Sequence, residues 1–379
     1  MATTVSSAEA RTVRRGFLAE PEVKKFKPVK LWAWLGAAYA AMILYSMGGW
    51  IISGNATPTP KGPDAVPLYM KILIHGWEAV GIPVFVLFLL KYMVRPWRRE
   101  GRIQSDGLFC IAFFTLWWQD PMSNWLAPYF TYNSELVNFG NWTHNIPGWF
   151  MPHSNYIGEP PLWVAPIYVY LVFGMCIVGC GVMRKAKQRW PHLSTFGLIM
   201  VAAGFFFVFD IFLEPLLMGM GFWSYPGTIG WLTLFHGHYY QFPMYEALLW
   251  GAVAWGGWTC LRYFKNDKGQ TLVERGVDRL GGGERRRTLL RVLAVIGFTQ
   301  CAYLLFFNLP AALTSLHNRP LIHDLAKRPY LLDGLCGAGT EYSCGGPATP
   351  IPQRNSAHIG PDGRLIVPDP AALSDEATR

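Results

Sequence analysis

Stretches of about twenty residues with almost no Lys, Arg, Asp or Glu recur along the chain, separated by polar segments. An α-helix rises about 1.5 Å per residue, so ~20 apolar residues are what it needs to cross the hydrocarbon core of a bilayer. The pattern predicts seven such spans, over residues 31–52, 69–93, 107–127, 163–183, 194–219, 241–261 and 289–310. The expected fold class is all-α: a polytopic membrane helical bundle with a long aromatic-rich outer loop between the third and fourth spans. Residues 1–30 would be a basic cytoplasmic arm, 31–310 the transmembrane domain, and 311–379 an extracytoplasmic, largely irregular tail. A polar, charged arm precedes the first apolar run, which therefore reads as a signal anchor and not as a cleaved leader.

Composition agrees: 51% of the 379 residues are hydrophobic and only 15% charged. The modest mean hydropathy of +0.19 averages the spans with the polar termini. Charge adds an orientation, because Lys and Arg are retained on the cytoplasmic side during insertion. Most of the 33 basic residues fall in the arm and in residues 91–102, 184–189 and 262–291, all on one side if there are seven spans. Residues 103–183 and 190–261 contain neither Lys nor Arg. The chain is thus expected in the cell membrane with its N-terminus cytoplasmic and its C-terminus outside. The net charge of +9 is an orientation signal and implies affinity for anionic membrane lipid, with no nucleic acid as partner.

Residues 266–287, with glycines at 281, 282 and 283, read as a linker, since no strand precedes them and the spacing of a phosphate loop is missing. Residues 128–162 differ from an ordinary linker in being full of Trp, Tyr, Asn and His. Such a loop serves either as an interfacial aromatic belt or as a lid over a pocket. Cys336 and Cys344, in the outer tail, form a disulfide or remain as two free thiols; the sequence leaves both open.

Candidate chemistry lies in the few ionisable residues inside the spans: His75 and Glu78 in the second, Asp120 in the third, Asp210 and Glu214 in the fifth, Glu246 in the sixth. Charge in lipid is costly, so such residues face the bundle interior or a wet cavity. Each lies roughly 8 to 14 Å from the outer end of its span. His75 with Glu78, and Asp210 with Glu214, are three or four apart and share a helix face. No Lys or Arg accompanies them at that depth, so each carboxyl needs His, Tyr, Asn or Trp donors or must keep its proton. Asp120 and Glu214 each precede a proline, which kinks a helix beside an acid; Asp120 alone would equally serve as an interfacial cap. His236 and His238 make a His-x-His pair, too little for a metal site, and are assigned to hydrogen bonding at the pocket mouth together with Tyr239 and Tyr240.

The run from Trp117 and Trp118 through Gln119, Asp120, Pro121, Met122, Ser123 and Asn124 to Trp125 is followed by Phe130-Thr131-Tyr132-Asn133-Ser134, Asn138-Phe139-Gly140 and Ile146-Pro147-Gly148-Trp149. These strings resemble the actinobacterial AveC-type spirocyclases, a family named for the spiroketal-forming enzyme of avermectin biosynthesis. The likeness extends from about the second span to the sixth. It brings no assigned catalytic residues with it. It implies a cyclase, and the acids suit that chemistry: adding a hydroxyl to a ketone and expelling water needs an acid, a base and shielding from bulk water, but no cofactor and no metal. Dehydration or double-bond isomerisation of a sterol, polyketide or isoprenoid would use the same groups. The expectation is therefore a cofactor-independent membrane enzyme acting on a lipophilic small molecule. Glu78, Asp210, Glu214, His75, Glu246 and Asp120 would be catalytic, and Trp117, Trp118, Asn124, Trp125, Tyr132, Asn133, His236, His238, Tyr239 and Tyr240 would bind substrate. A proton-coupled transporter of a hydrophobic small molecule and a non-catalytic lipid-binding subunit are the alternatives. The oligomeric state is left open.

Overall fold

The structure is a computed structural model. It describes residues 27–367 apart from 60, 63, 152–156, 317–320, 333–334, 337–341, 344–357 and 361, so Cys344 and most of the basic arm lie outside the described residues. It is mostly helical, with 65% helix and few strands. Five helices are long and apolar enough to cross a membrane: α1 (Pro28–Ile52), α2 (Leu68–Glu100), α4 (Val164–Arg189), α5 (Thr195–Gly219) and α7 (Glu284–Ser315). The other two expected spans are helical but of different form. Helix α3 (Ser105–Leu116) is short and tightens into a 3-10 helix, Trp117–Asn124, that contains Pro121. Helix α6 runs from Met244–Glu246 through a wide π-type stretch, Ala247–Trp255, to Gly256–Tyr263, and its Trp and Gly content dilutes its hydropathy.

Burial separates an inner from an outer set. Large apolar side chains of α1, α2 and α5 remain on the outside, among them Trp34, Leu44, Ile52, Leu68, Phe196 and Phe212. Helices α3, α4, α6 and α7 surround the core, with Phe109, Phe113, Phe173, Trp255, Trp258 and Tyr303 fully buried. Helix α1 docks on α7 through two glycines. A Cβ on Gly36 would sit 1.9 Å from the Leu293 carbonyl oxygen, and one on Gly297 would sit 2.1 Å from that of Trp32. Small residues that let backbones touch are the usual cement of helices in lipid. Gly297→Val is therefore expected to separate α1 from α7 and lower the melting temperature in detergent, whereas Gly257→Val, with nothing near its Cβ, should not. Equal melting of the two variants would show that the crossing contributes little.

Polar latches gather helix ends at one pole. Arg262 at the end of α6 holds Asp106 at the start of α3 through two bonds of 3.0 and 2.9 Å. Arg291 of α7 binds the buried Glu274, whose other oxygen closes a capping box with Thr271. The Val29 amide donates to the Arg275 carbonyl. The opposite pole carries residues 128–151 and 157–162, largely buried, and part of the tail. Strand β1 (Thr131–Tyr132) pairs antiparallel with β2 (Trp223–Ser224), tying this loop to the turn after α5. Gly221, at φ +92°, permits that turn, since its Cβ would meet the Met70 sulfur at 2.6 Å. The last helix continues to Ser315, and Leu321, Leu325, Leu331 and Leu335 are buried, while the carbonyls of Tyr330 and Leu331 accept from Ser134 and Thr131. Cys336 is disulfide-bonded; Cys110, Cys176, Cys180, Cys260 and Cys301 are free.

Candidate active site

A cavity of about 100 Å³ lies between α4, α5, α6 and α7, roofed by β1 and β2. Three stretches of π-type helix contribute to its wall: Tyr168–Phe173 supplies Tyr168, Leu171 and Val172, Ala247–Trp255 supplies Trp250 and Trp255, and Leu304–Asn308 supplies Phe307. Such widened turns recur at functional sites because they re-aim side chains that a regular helix would stack. Gly251 lets α6 approach α5, since a Cβ there would meet the Phe206 carbonyl oxygen at 2.9 Å and the Asp210 Cβ at 3.0 Å.

Four carboxyls line the cavity: Asp120, Asp210, Glu214 and Glu246. No Lys or Arg is among the described lining residues. Tyrosine hydroxyls serve three of the four acids. Tyr132 donates to Asp120 Oδ2 at 2.6 Å, and Tyr168 donates to Oδ1. Tyr303 reaches the same Oδ1 at 3.3 Å and lies 2.5 Å from the Tyr168 hydroxyl. Tyr225 donates to Glu214 at 2.7 Å, and Tyr129 to Glu246 at 2.5 Å. Asp210 differs: it is fully buried and neither oxygen has a hydrogen-bond partner among the described residues. Trp163, Trp223, Trp250 and Trp255 complete the wall, with Trp163 stacked on Phe222 at 4.8 Å. The arrangement offers proton donors and acceptors on an aromatic surface able to face a cation.

Of the six residues expected to be catalytic, the structure brings Asp120, Asp210, Glu214 and Glu246 together on one cavity, but not His75 and Glu78. Helix α2 is peripheral and turns that pair toward the outer loop. Glu78 accepts from the Val137 amide at 2.8 Å and lies 3.0 Å from His75 Nδ1, while His75 Nε2 lies 3.0 Å from Glu135. Lys61 pairs with the other Glu135 oxygen at 3.2 Å. Although burial opposes it, hydrogen bonds from His75 and Lys61 hold the Glu135 carboxyl below its usual range.

Of the residues assigned to substrate, only Tyr132 reaches the cavity. Trp118 donates to Ser46 at 2.6 Å, and Trp117 packs edge-on against Trp142. Asn124 accepts the Tyr129 and Phe130 amides, Trp125 donates to the Gly148 carbonyl, and Asn133 donates to that of Gly221. These groups shape the loop. His236 lies 3.2 Å from Gln241, and exposed His238 stacks on Tyr240. Tyr239 donates to the Gly219 carbonyl and, with Tyr240, borders a separate apolar groove outside α5. They are displaced from the cavity because the turn carrying them pairs as a hairpin, β3 (Thr233–Leu234) with β4 (Phe242–Pro243), on the far side of α5.

Missed were the tyrosines at 129, 168, 225 and 303, Trp163 and Trp223, and Glu159. Glu159 is buried against Asp120; burial, then the charge of Asp120 and the contact with it, push its carboxyl well above the usual range. A signal was available. Glu159 and Glu135 are the acids of a loop that has no Lys or Arg to balance them.

A family model described as Spirocyclase AveC-like matches residues 97–331, more than half of the chain. That segment contains the 3-10 helix with Asp120, the roofing loop and every other cavity acid. No curated protein and no solved structure matches.

Proposed function

The chain belongs to the AveC-like spirocyclase family, and from that premise we propose that it is a membrane enzyme that closes rings by acid–base chemistry on a lipophilic dihydroxy-ketone. The observation that carries this reading is the cavity in which Asp120, Asp210, Glu214 and Glu246 meet under tryptophan and tyrosine rings. In spiroketal closure a hydroxyl adds to the ketone to give a hemiketal. The hemiketal hydroxyl takes a proton and leaves as water, and a second hydroxyl adds to the oxocarbenium ion and gives up its proton. The net change is loss of one water without oxidation or reduction. One carboxyl donates the first proton, another takes the last, and the rings face the cation between them. The cavity is small, so only the reacting segment of a long substrate would occupy it, the rest lying along the apolar exterior.

The test compares metabolites of a strain lacking the gene with the same strain complemented by wild type or by Asp210→Asn. Accumulation of a precursor that differs from the lost product by one water, in both the deletion and the Asn strain, is the expected result. A compound redistributed across the membrane without chemical change would overturn the enzyme in favour of a transporter.

We also propose that the chain crosses the membrane seven times with the basic pole in the cytoplasm. Supporting this, the Arg262–Asp106 pair ties the basic segment 262–291 to the start of α3, just after the basic residues 91–102, and the Arg291–Glu274 pair lies within the same segment, while the aromatic loop and the disulfide-bonded Cys336 occupy the other pole. Disulfides persist in oxidising compartments. In intact cells a membrane-impermeant thiol reagent is expected to label Val367→Cys but not Lys187→Cys above the wild-type background. The reverse labelling would overturn the orientation.

A further inference from the structure

The strongest unused group is Glu159. It is 1% exposed, and neither of its carboxyl oxygens receives a hydrogen from any amide, hydroxyl or cation among the described residues. Burying an unpaired carboxylate is expensive, and a carboxyl normally appears so only where a partner or a retained proton compensates. The ionisable side chain against which it is buried is another carboxyl, that of Asp120. Two carboxyl groups can bond only with a proton between them, since both are otherwise acceptors.

We propose that Glu159 and Asp120 form a proton-sharing carboxyl dyad in which Glu159 positions and reloads the proton that Asp120 presents to the cavity. The role in turnover rests on the cyclase reading; the shared proton does not. The surroundings suit a dyad. Tyr132, Tyr168 and Tyr303 donate to Asp120, and Glu214 and Glu246 line the same cavity. With its three hydroxyl donors, Asp120 is the better site for negative charge, and Glu159, with none, is the better site for the proton. Loss of the proton to a departing hemiketal hydroxyl leaves a dianionic pair. The proton released by the second hydroxyl restores it, so the dyad ends each turnover as it began. Glu159 does not line the cavity and would act through Asp120, as a positioning residue.

The experiment reads the proton without substrate. Infrared difference spectra of the purified full chain, wild type minus Glu159→Gln, are taken across a pH series, with melting in detergent as the check on folding. The expected result is a protonated-carboxyl band at neutral pH that disappears in Glu159→Gln and shifts in frequency in Asp120→Asn, where the lone buried Glu159 keeps its proton without a partner carboxylate. A band unchanged in folded Glu159→Gln overturns the dyad. Should the Gln variant fail to fold, Glu159→Asp keeps the acid on a shorter stem, and an unshifted band there would overturn it equally. Once a turned-over substrate is in hand, Glu159→Gln should lower kcat about tenfold or more with KM unchanged. It should also move the alkaline limb of the pH profile to lower pH, because a proton donor acts only below the pKa of the pair. A purely structural role would leave that limb in place. Failure to find any cyclised product would sink the cyclase reading while leaving the infrared result to decide the dyad.

Discussion

Asp210→Asn is expected to fold and melt like wild type yet lower formation of the cyclised product by about 10²- to 10⁴-fold, the usual contribution of a general acid–base step. The argument begins with what the substitution leaves alone. Asp210 is fully buried and neither oxygen has a hydrogen-bond partner among the described residues, so the amide breaks no bond and fills the same space beside Gly251. What it removes is a group that can gain and lose a proton on the cavity wall next to Glu214 and Glu246. The loss should therefore fall on kcat and leave KM nearly unchanged. Product formation in membranes at matched protein levels measures it, and a wild-type rate would remove Asp210 from the mechanism. Glu78→Gln makes the contrast: Glu78 accepts the Val137 amide and faces His75 away from the cavity, so its replacement should loosen the outer loop and cost melting temperature before it costs turnover.

That contrast marks where the sequence was readable. Charge inside an apolar span has to face the interior, and this rule located Asp210, Glu214 and Glu246. It could not separate them from Glu78, because both the cavity and the underside of the outer loop count as interior, and only the peripheral placement of α2 tells them apart. Hydropathy likewise found helices at all seven expected places, but a window of apolar residues does not report a tightened 3-10 turn at Trp117–Asn124 or a widened π turn at Ala247–Trp255. The tyrosines escaped for a related reason. Tyr168 and Tyr303 sit in apolar runs as ordinary bulky residues, and their value lies in where the hydroxyl ends, which depends on register between helices far apart in the chain. Sequence strings such as Trp117-Trp118 and Asn124-Trp125 drew attention as substrate contacts, whereas the Trp118 and Trp125 indoles and the Asn124 side-chain oxygen bond within the protein and hold the region that brings Tyr132 over the cavity.

Asp120→Asn should be distinguishable from Asp210→Asn by striking stability as well as rate. Asp120 accepts from Tyr132 on one oxygen and from Tyr168 and Tyr303 on the other. An amide keeps one acceptor oxygen and replaces the other by a donor, so at least one tyrosine must reverse its hydroxyl or go unpaired in a buried setting, at about 1–3 kcal/mol. The same change removes the carboxyl that faces the cavity, so turnover should fall by at least the ~10²-fold of a lost acid–base step. Tyr303→Phe deletes the 3.3 Å bond to Asp120 together with the 2.5 Å contact with the Tyr168 hydroxyl, and Tyr132→Phe deletes a 2.6 Å bond; both should lower the melting temperature while leaving the carboxyl, and so more of the turnover, in place than Asp120→Asn does. Melting in detergent and product formation, taken on the same preparations, separate the two effects. If Asp120→Asn melted and turned over like wild type, the tyrosine-bound carboxyl would be neither a structural anchor nor a participant in the reaction.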